Sequence, residues 1–323
     1  MNPNDRTAAC QRLAADKQRL GLPLEHVRRI DTYLAEKWGI NMPLPPQQWE
    51  ERLTELAGKT LAAEYWELHD ELASCYAADS PVPAKLETAF YNTLADDRIS
   101  GHVHSQKRTE ILDAGCLLLH LIRELGIVGP ILDIGCHTGH HAHLIANETP
   151  AEVHGIDLCS EAIAAAKAKT AGTAGLEFSV GDLTQQSLAE EYELVYAVRS
   201  INLDKTSARK ICAALKPGGV AAIFTSDAPD TSQRVRKAIR EARLGWAFSD
   251  VVGGWVGADR GYDSGSVLVL IKDGAIGIPA DCVEQAMSVW NDYFKDYANS
   301  PDTPWHEKTQ SYFRGHWLTS RSA

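Results

Sequence analysis

The stretch "ILDIGCHTGHHAHLIA", residues 131 to 146, is an apolar run that ends at a glycine and is followed by a segment with helical character. Four apolar or small-turn positions, then Gly135 and Gly139 around His137, read as a strand, a tight turn and a helix start. Glycine belongs where a backbone bends sharply or lies against a ligand, because a Cβ there would clash. A dinucleotide-binding turn would place glycines at 135, 137 and 140, but His137 and His140 stand at two of those places. A nicotinamide cofactor is therefore not expected.

Outward from this turn, short β-rich runs alternate with helices, which is the pattern of a parallel sheet with crossover helices. Strands are expected at 131–134, 152–156, 176–180, 194–198 and 220–225, with helices at 140–147, 160–169, 183–190, 205–215 and 231–242. Lys216-Pro217-Gly218-Gly219 reads as a turn before the fifth strand. Two further strands, 248–256 and 266–271, are expected to pair as an antiparallel edge across the Gly- and Asp-rich 257–265. Upstream, apolar residues recur at helical spacing from residue 8 to about 100, as in Val27, Ile30, Leu34 and Trp38. That pattern predicts four or five amphipathic helices, one of them starting at Ser80-Pro81. One more helix, 107–125, runs to Gly126. From Pro279 onward an apolar face carrying Met287, Trp290 and Phe294 predicts helices that pack on the body or on a second copy. The domain plan is thus a helical region 1–106, a sheet domain 107–273 and a helical extension 274–323.

Composition narrows the classes of function. The 323 residues carry 44% hydrophobic and 23% charged side chains, the mix of a globular protein with a sizeable core. No apolar run approaches the roughly 18 residues of a membrane span. The first twelve residues lack the apolar core of a signal peptide, and seven scattered cysteines without a paired spacing read as reduced thiols, so a cytoplasmic location is expected. A net charge of −11 opposes binding to nucleic acid or anionic membranes.

Asp133-Ile134-Gly135-Cys136-His137-Thr138-Gly139 resembles the D-x-G-x-G-x-G motif of the class I S-adenosylmethionine-dependent methyltransferases. Three more segments match in order: "VHGIDLCSEAIAAAKAK" with Asp157 at a strand end, "EFSVGDL" with Asp182, and "LKPGG" at 215–219. The resemblance covers roughly 107–273 and implies a Rossmann-like, seven-stranded α/β sheet with helices on both faces and an antiparallel last strand. It implies S-adenosylmethionine as cofactor, with S-adenosylhomocysteine as product. Contacts to it are implied for Asp133, Gly135, His137, Gly139, Asp157, Leu158, Gly181, Asp182, Leu183 and Val198. Within that set, Asp157 would accept from the ribose hydroxyls, Asp182 from the adenine amine, and Asp133 would help hold the amino-acid end. His137 departs from the family at the middle glycine, and histidine is among the residues that tolerate positive φ.

The same resemblance places the acceptor near "VRSINL", 198–203, and "DRISGHVHSQKR", 97–108, the latter read as a loop. His104 and His102 there have the intrinsic pKa of a general base, Arg199 could orient an acidic substrate group, and Tyr91 could close over the cofactor. Trp255 and Tyr262 are candidates for the acceptor pocket. His140, His141 and His143 point in different directions on a helix, so surface or helix-start histidines are expected rather than a metal site. A small-molecule acceptor is expected, since the fourth strand lacks the [DN]-P-P-[YF] tetrapeptide. A cofactor-binding regulatory subunit and a protein methyltransferase remain the alternatives, and the terminal helices could make a homodimer.

Overall fold

Seven strands, β1 (Ile131–Ile134), β2 (Val153–Asp157), β3 (Leu176–Val180), β4 (Tyr192–Val198), β5 (Leu215–Thr225), β6 (Leu244–Trp255) and β7 (Tyr262–Lys272), form one sheet in the order β3-β2-β1-β4-β5-β7-β6. The structure is a computed structural model, and it describes residues 5–6, 8–10, 24–41, 44, 46–77, 82–186, 188, 191–201, 203–225, 233–255 and 262–273. The strands from β1 to β5 pair in parallel, and β7 is antiparallel to both of its neighbours. The seven strands and the antiparallel last strand are as expected. The antiparallel strand is interior, however, and β6 forms the edge.

All four residues of β1 are buried, as expected for a central parallel strand covered on both faces. Tyr196 and Ile131 face one core, shared with Leu112, Leu117 and Leu121 of α5 (Arg108–Glu124) and with Leu144 and Ile145 of α6 (His140–Glu148). Leu132 and Ile134 face the other, shared with Ala208 and Ile211 of α8 (Lys205–Ala214) and with Ala238 and Ile239 of α9 (Gln233–Glu241). α7 (Ser160–Lys169) covers the β2 side, and its Ile163 and Ala166 enter the first core.

Upstream lie α1 (Leu24–Trp38), α2 (Pro46–Ala77), α3 (Ala84–Leu94) and α4 (Ser100–Ser105). α2 is two helical segments joined at Gly58, whose φ of 74° breaks the helical path. Trp49, Leu53, Tyr65, Phe90 and Ile99 make a separate core among α2, α3 and the turn before α4. α1 does not belong to it: Val27, Ile30, Leu34 and Trp38 are buried in the same core as α5 and the sheet. The expected boundary at residue 106 therefore cuts across a shared core, because the apolar stripe of α1 is completed by α5.

Other expectations need correction. Residues 97–108 are not a loop, since α4 occupies their centre. No helix lies between β3 and β4 among the described residues, although one was expected at 183–190. There the Asp182 carboxylate accepts from the amide and hydroxyl of Thr184, both at 2.7 Å, and the chain turns instead. Lys216–Gly219 is not a free turn before β5 but a bulge within it, where the register to β4 shifts. α3 begins at Ala84 after Pro83, and Ser80-Pro81 lies outside the described residues. The extension 274–323, with the homodimer expected of it, lies outside them too.

Arg6 crosses under the N-terminal ends of the strands. Its guanidinium donates to the Gly218 carbonyl at 2.7 Å and to Glu193 at 2.6 Å, with the side chain only 2% exposed. Glu193 in turn accepts from the amides of Val128 and Gly129, and the arginine holds its carboxyl below the usual range together with those amides, against the effect of burial. Removing the arginine leaves the largely buried Glu193 carboxylate with only those two amides to hold it. Arg6→Ala is expected to cost about 3 kcal/mol, read as a lower urea midpoint at unchanged m.

Candidate functional site

The strand order turns back on itself around β1, with β2 on one side and β4 on the other, so the crevice above their carboxyl ends is where such a sheet takes ligand. The turn after β1 fills the floor of that crevice. Gly135, His137 and Gly139 all have positive φ, at 68°, 47° and 85°. A Cβ on Gly135 would stand 2.2 Å from that of Ser200, and one on Gly139 would stand 2.5 Å from the Phe178 ring. At 137 the side chain has room and reaches the helical layer, its Nε2 lying 3.5 Å from the Tyr91 carbonyl. Histidine thus replaces a glycine at the one of the three positions where a side chain is accommodated.

Asp157 at the end of β2 fixes this turn. One carboxylate oxygen accepts from the His137 amide and the other from the Cys159 amide, each at 2.8 Å. Each oxygen keeps a further lone pair, the capacity needed for a pair of ribose hydroxyls. Leu158, the next residue, is 63% exposed, an apolar surface left open beside that carboxylate. α6 starts directly from the turn with no side-chain cap among the described residues, so the amides of its first turn are left without a side-chain acceptor. Such a set fits an adenosyl group with an amino-acid tail. Gly181 and Asp182 follow β3 at the same edge, half-buried, with Gln186 packed on Gly181. Leu183 is buried in the core of the α8 face, and Val198 is half-buried against the other core.

Asp133 is placed differently from a residue that grips a ligand. It is 3% exposed on β1, and burial pushes its carboxyl up to about 8, against the lowering effect of the neighbouring Tyr196 hydroxyl. Half or more of it is protonated at neutral pH, so it serves as a buried polar group.

The catalytic candidates separate. His102 turns away from the crevice: it stacks on Trp49 with ring centroids 5.0 Å apart and donates from Nε2 to the Trp49 carbonyl at 2.9 Å. A catalytic role is corrected on that ground, because its ring is part of the α2–α4 packing. His104 faces the crevice turn, 5.2 Å from the His137 ring, and burial drives its pKa down to about 3. Its intrinsic basicity near neutrality, which suggested a general base, is lost in that enclosure. Arg199, with φ 53°, pairs with Glu110 of α5 at 2.9 Å. Tyr91 lies over His137, ring centroids 6.2 Å apart. Trp255 and Tyr262 pair in the β6–β7 ladder, and their side chains lie outside the described residues.

The histidines after the turn are not on the surface, contrary to expectation. His140, His141 and His143 are all buried, because α1 and α5 close over α6. His141 donates to the Ile111 carbonyl at 2.9 Å, and Tyr33 and Thr173 hold the two nitrogens of His143. No group of three metal-ligating side chains is arranged for an ion among the described residues. Two contacts escaped the sequence reading: Ser200 Oγ donates to the Ile134 carbonyl, and Cys159 Sγ donates to Asn92 Oδ1 at 2.6 Å. The second pins α3 to the start of α7, and no periodicity or motif announces it.

Residues 131–219 match the family model described as a methyltransferase domain. Over that segment the resemblance to class I S-adenosylmethionine-dependent methyltransferases is borne out, and the match indicates S-adenosylmethionine as cofactor. No curated protein matches the chain. Among solved structures, an S-adenosylmethionine-dependent methyltransferase from Methanosarcina mazei is 16% identical, covers 46% of this chain and 92% of its own, and gives a TM-score of 0.37. Geranyl diphosphate C-methyltransferase from Streptomyces coelicolor A3(2), solved with S-adenosyl-L-homocysteine, is 10% identical over 50% of this chain and 84% of its own, with a TM-score of 0.38. The cyclase SpnF is 16% identical over 51% and 82%, at 0.40.

Asp133 gives a pH test of the site. A carboxyl whose folded pKa is raised stays neutral in the fold while the unfolded chain ionises, so its burial costs nothing below about 4 and progressively more up to about 8. Asp133→Asn is expected to gain stability relative to the parent as pH rises through that window and to gain no more above it. Urea unfolding of both proteins at pH 5, 6, 7 and 8 measures the difference, and a pH-independent difference contradicts the assignment.

Proposed function

We propose that this protein is an S-adenosylmethionine-dependent methyltransferase acting on a small-molecule acceptor. The observation that carries the reading is the edge at Asp157 and Leu158: a carboxylate anchored by two turn amides, beside an open apolar side chain, at the switch point of the sheet. In this reading the ribose hydroxyls donate to Asp157, the adenine lies against Leu158 and meets Asp182, and the carboxylate of the tail meets the uncapped start of α6. Bound there, the cofactor supplies a sulfonium methyl that is already a good electrophile.

The chain's part is then to position and to dry the site. α3 and α4 lie over the turn, and Tyr91, His104 and His137 exclude water from it. The helical region upstream of 107 thus shapes the acceptor side, and 107–273 holds the cofactor. Acceptor deprotonation, where needed, falls outside His104, because burial lowers the basicity of the Nε2 that its Nδ1–H bond to the Ser100 carbonyl leaves unprotonated. A net charge of −11 supports a metabolite rather than nucleic acid as acceptor. The described cysteines are free thiols, which supports a reducing, cytoplasmic setting.

Titration with S-adenosylhomocysteine is expected to release heat at one site per chain. Leu158→Ser leaves the fold intact, the side chain being largely exposed, and is expected to weaken that binding by about tenfold, roughly 1.4 kcal/mol. Asp157→Asn is expected to weaken it further, with a thermal melt to separate binding from loosening of the turn. Absence of binding by the parent protein overturns the reading. Incubation of a metabolite extract with methyl-labelled cofactor is expected to label small molecules, and label confined to proteins overturns the acceptor class.

A further inference from the structure

Imidazoles make the contact between the upstream helices and the crevice turn. His104 of α4 stands 5.2 Å from the His137 ring and 5.5 Å from the His140 ring, and His140 stands 4.3 Å from His141. Each hydrogen-bonded ring spends its one N–H on a backbone carbonyl: His104 on Ser100, His141 on Ile111, and His137 on Tyr91 across the interface. These carbonyl bonds fix which nitrogen carries the hydrogen in the neutral ring and by themselves favour the charged form, so it is burial, the larger effect, that keeps the rings neutral. The Nδ1 atoms of His137 and His140 are buried and have no hydrogen-bond partner among the described residues. A neutral ring tolerates a bare nitrogen, whereas an added proton would bury a donor and a charge with nothing to receive them.

The charged groups facing the cluster come from several elements. Asp157 of β2 faces His137 and favours its charged form, while Lys169 of α7 faces His104, His137 and His140 and disfavours theirs. Lys107, just before α5, acts on His104 in the same sense, and Lys169 is itself paired with Asp97 at 2.8 Å. α1 supplies the Trp38 ring, 6.2 Å from that of His140, and α3 supplies the Tyr91 ring against His137.

We propose that His104, His137 and His140 form a proton-operated latch: while all three are neutral, α3 and α4 stay down on the turn after β1, and proton uptake by the cluster releases them and opens the crevice. The latch rests on the function reading only for what the crevice holds. In the closed form burial holds His104 down to about 3 and lowers His137 and His140 as well, whereas a released segment returns each toward about 6.5. Closure is therefore fully supported above the released value and weakens as pH falls below it. The closing constant drops by about tenfold per pH unit for each histidine that titrates.

Hydrogen exchange at pH 7.5, 6.5, 5.5 and 4.5, corrected for the intrinsic chemical rate, reads the latch directly on the full chain. Protection of residues 84–105 is expected to fall by tenfold or more per unit below pH 6.5 while β1 and β4 hold theirs. His104→Phe is expected to reduce that slope by about tenfold per unit, and His140→Phe serves the same purpose if the first does not fold at pH 7.5. A flat profile, an unchanged slope in the folded variant, or simultaneous opening of the strands overturns the proposal. S-adenosylhomocysteine titration at pH 7.5 is read separately: a steep profile without binding leaves the latch standing and removes the cofactor, and a flat profile with binding does the reverse.

Discussion

The carboxylate of Asp157 ties three pieces of chain together, since it receives the amide of the crevice turn on one oxygen and the amide that starts α7 on the other. Both bonds are charge-assisted, the stronger kind. They add to the backbone bonds from Gly135 and Cys136 to Ile156 in bracing a turn whose alternate residues 135, 137 and 139 have positive φ. The close approach of Ser200 and Phe178 to the glycines depends on that support, and so does the start of α6. A ligand at this edge would share its anchor with the fold, so affinity and local rigidity come from the same group.

A second constraint is the number of ionisable groups that the helical layer keeps dry. Arg108 pairs with Asp31, and Glu110 pairs with Arg199, all largely buried between α1, α5 and the end of β4. Such pairs repay little more than their desolvation, but they are costly to break and they fix register. They hold α1 and α5 in one arrangement against the sheet, which explains why α1 belongs to the main core although its sequence neighbours form another. The imidazole cluster extends the same layer toward the crevice, using neutral rings where the other contacts use charge.

Much of this was legible in the sequence, and the reason lies in period and turn chemistry. β1, β3 and α7 begin and end where their apolar runs and caps put them, because a central parallel strand or a short crossover helix has few alternatives. Asp157 was legible as well, since its distance from the glycines reflects the length of a crossover. The helix expected after β3 was lost to the side chain of Asp182, a local competitor that periodicity does not register. The burial of His140 and His143 was illegible for another reason: polar side chains on an amphipathic pattern read as exposed unless the third layer that covers them is known. The same holds for Asp133, whose neighbours Tyr196 and Cys136 meet it only in three dimensions.

Arg6 sets the order in which the molecule can be completed. Its partners Glu193 and Gly218 lie 187 and 212 residues downstream. At a synthesis rate of about 5–20 residues per second, the earliest segment waits on the order of 10–40 s before its seat exists. During that interval the apolar stripe of α1 also lacks α5 and the sheet. A nascent chain of this kind can close the core of α2 and α3 early but leaves Arg6 and the α1 stripe waiting, and a fragment cut before Glu193 would carry an arginine with neither partner.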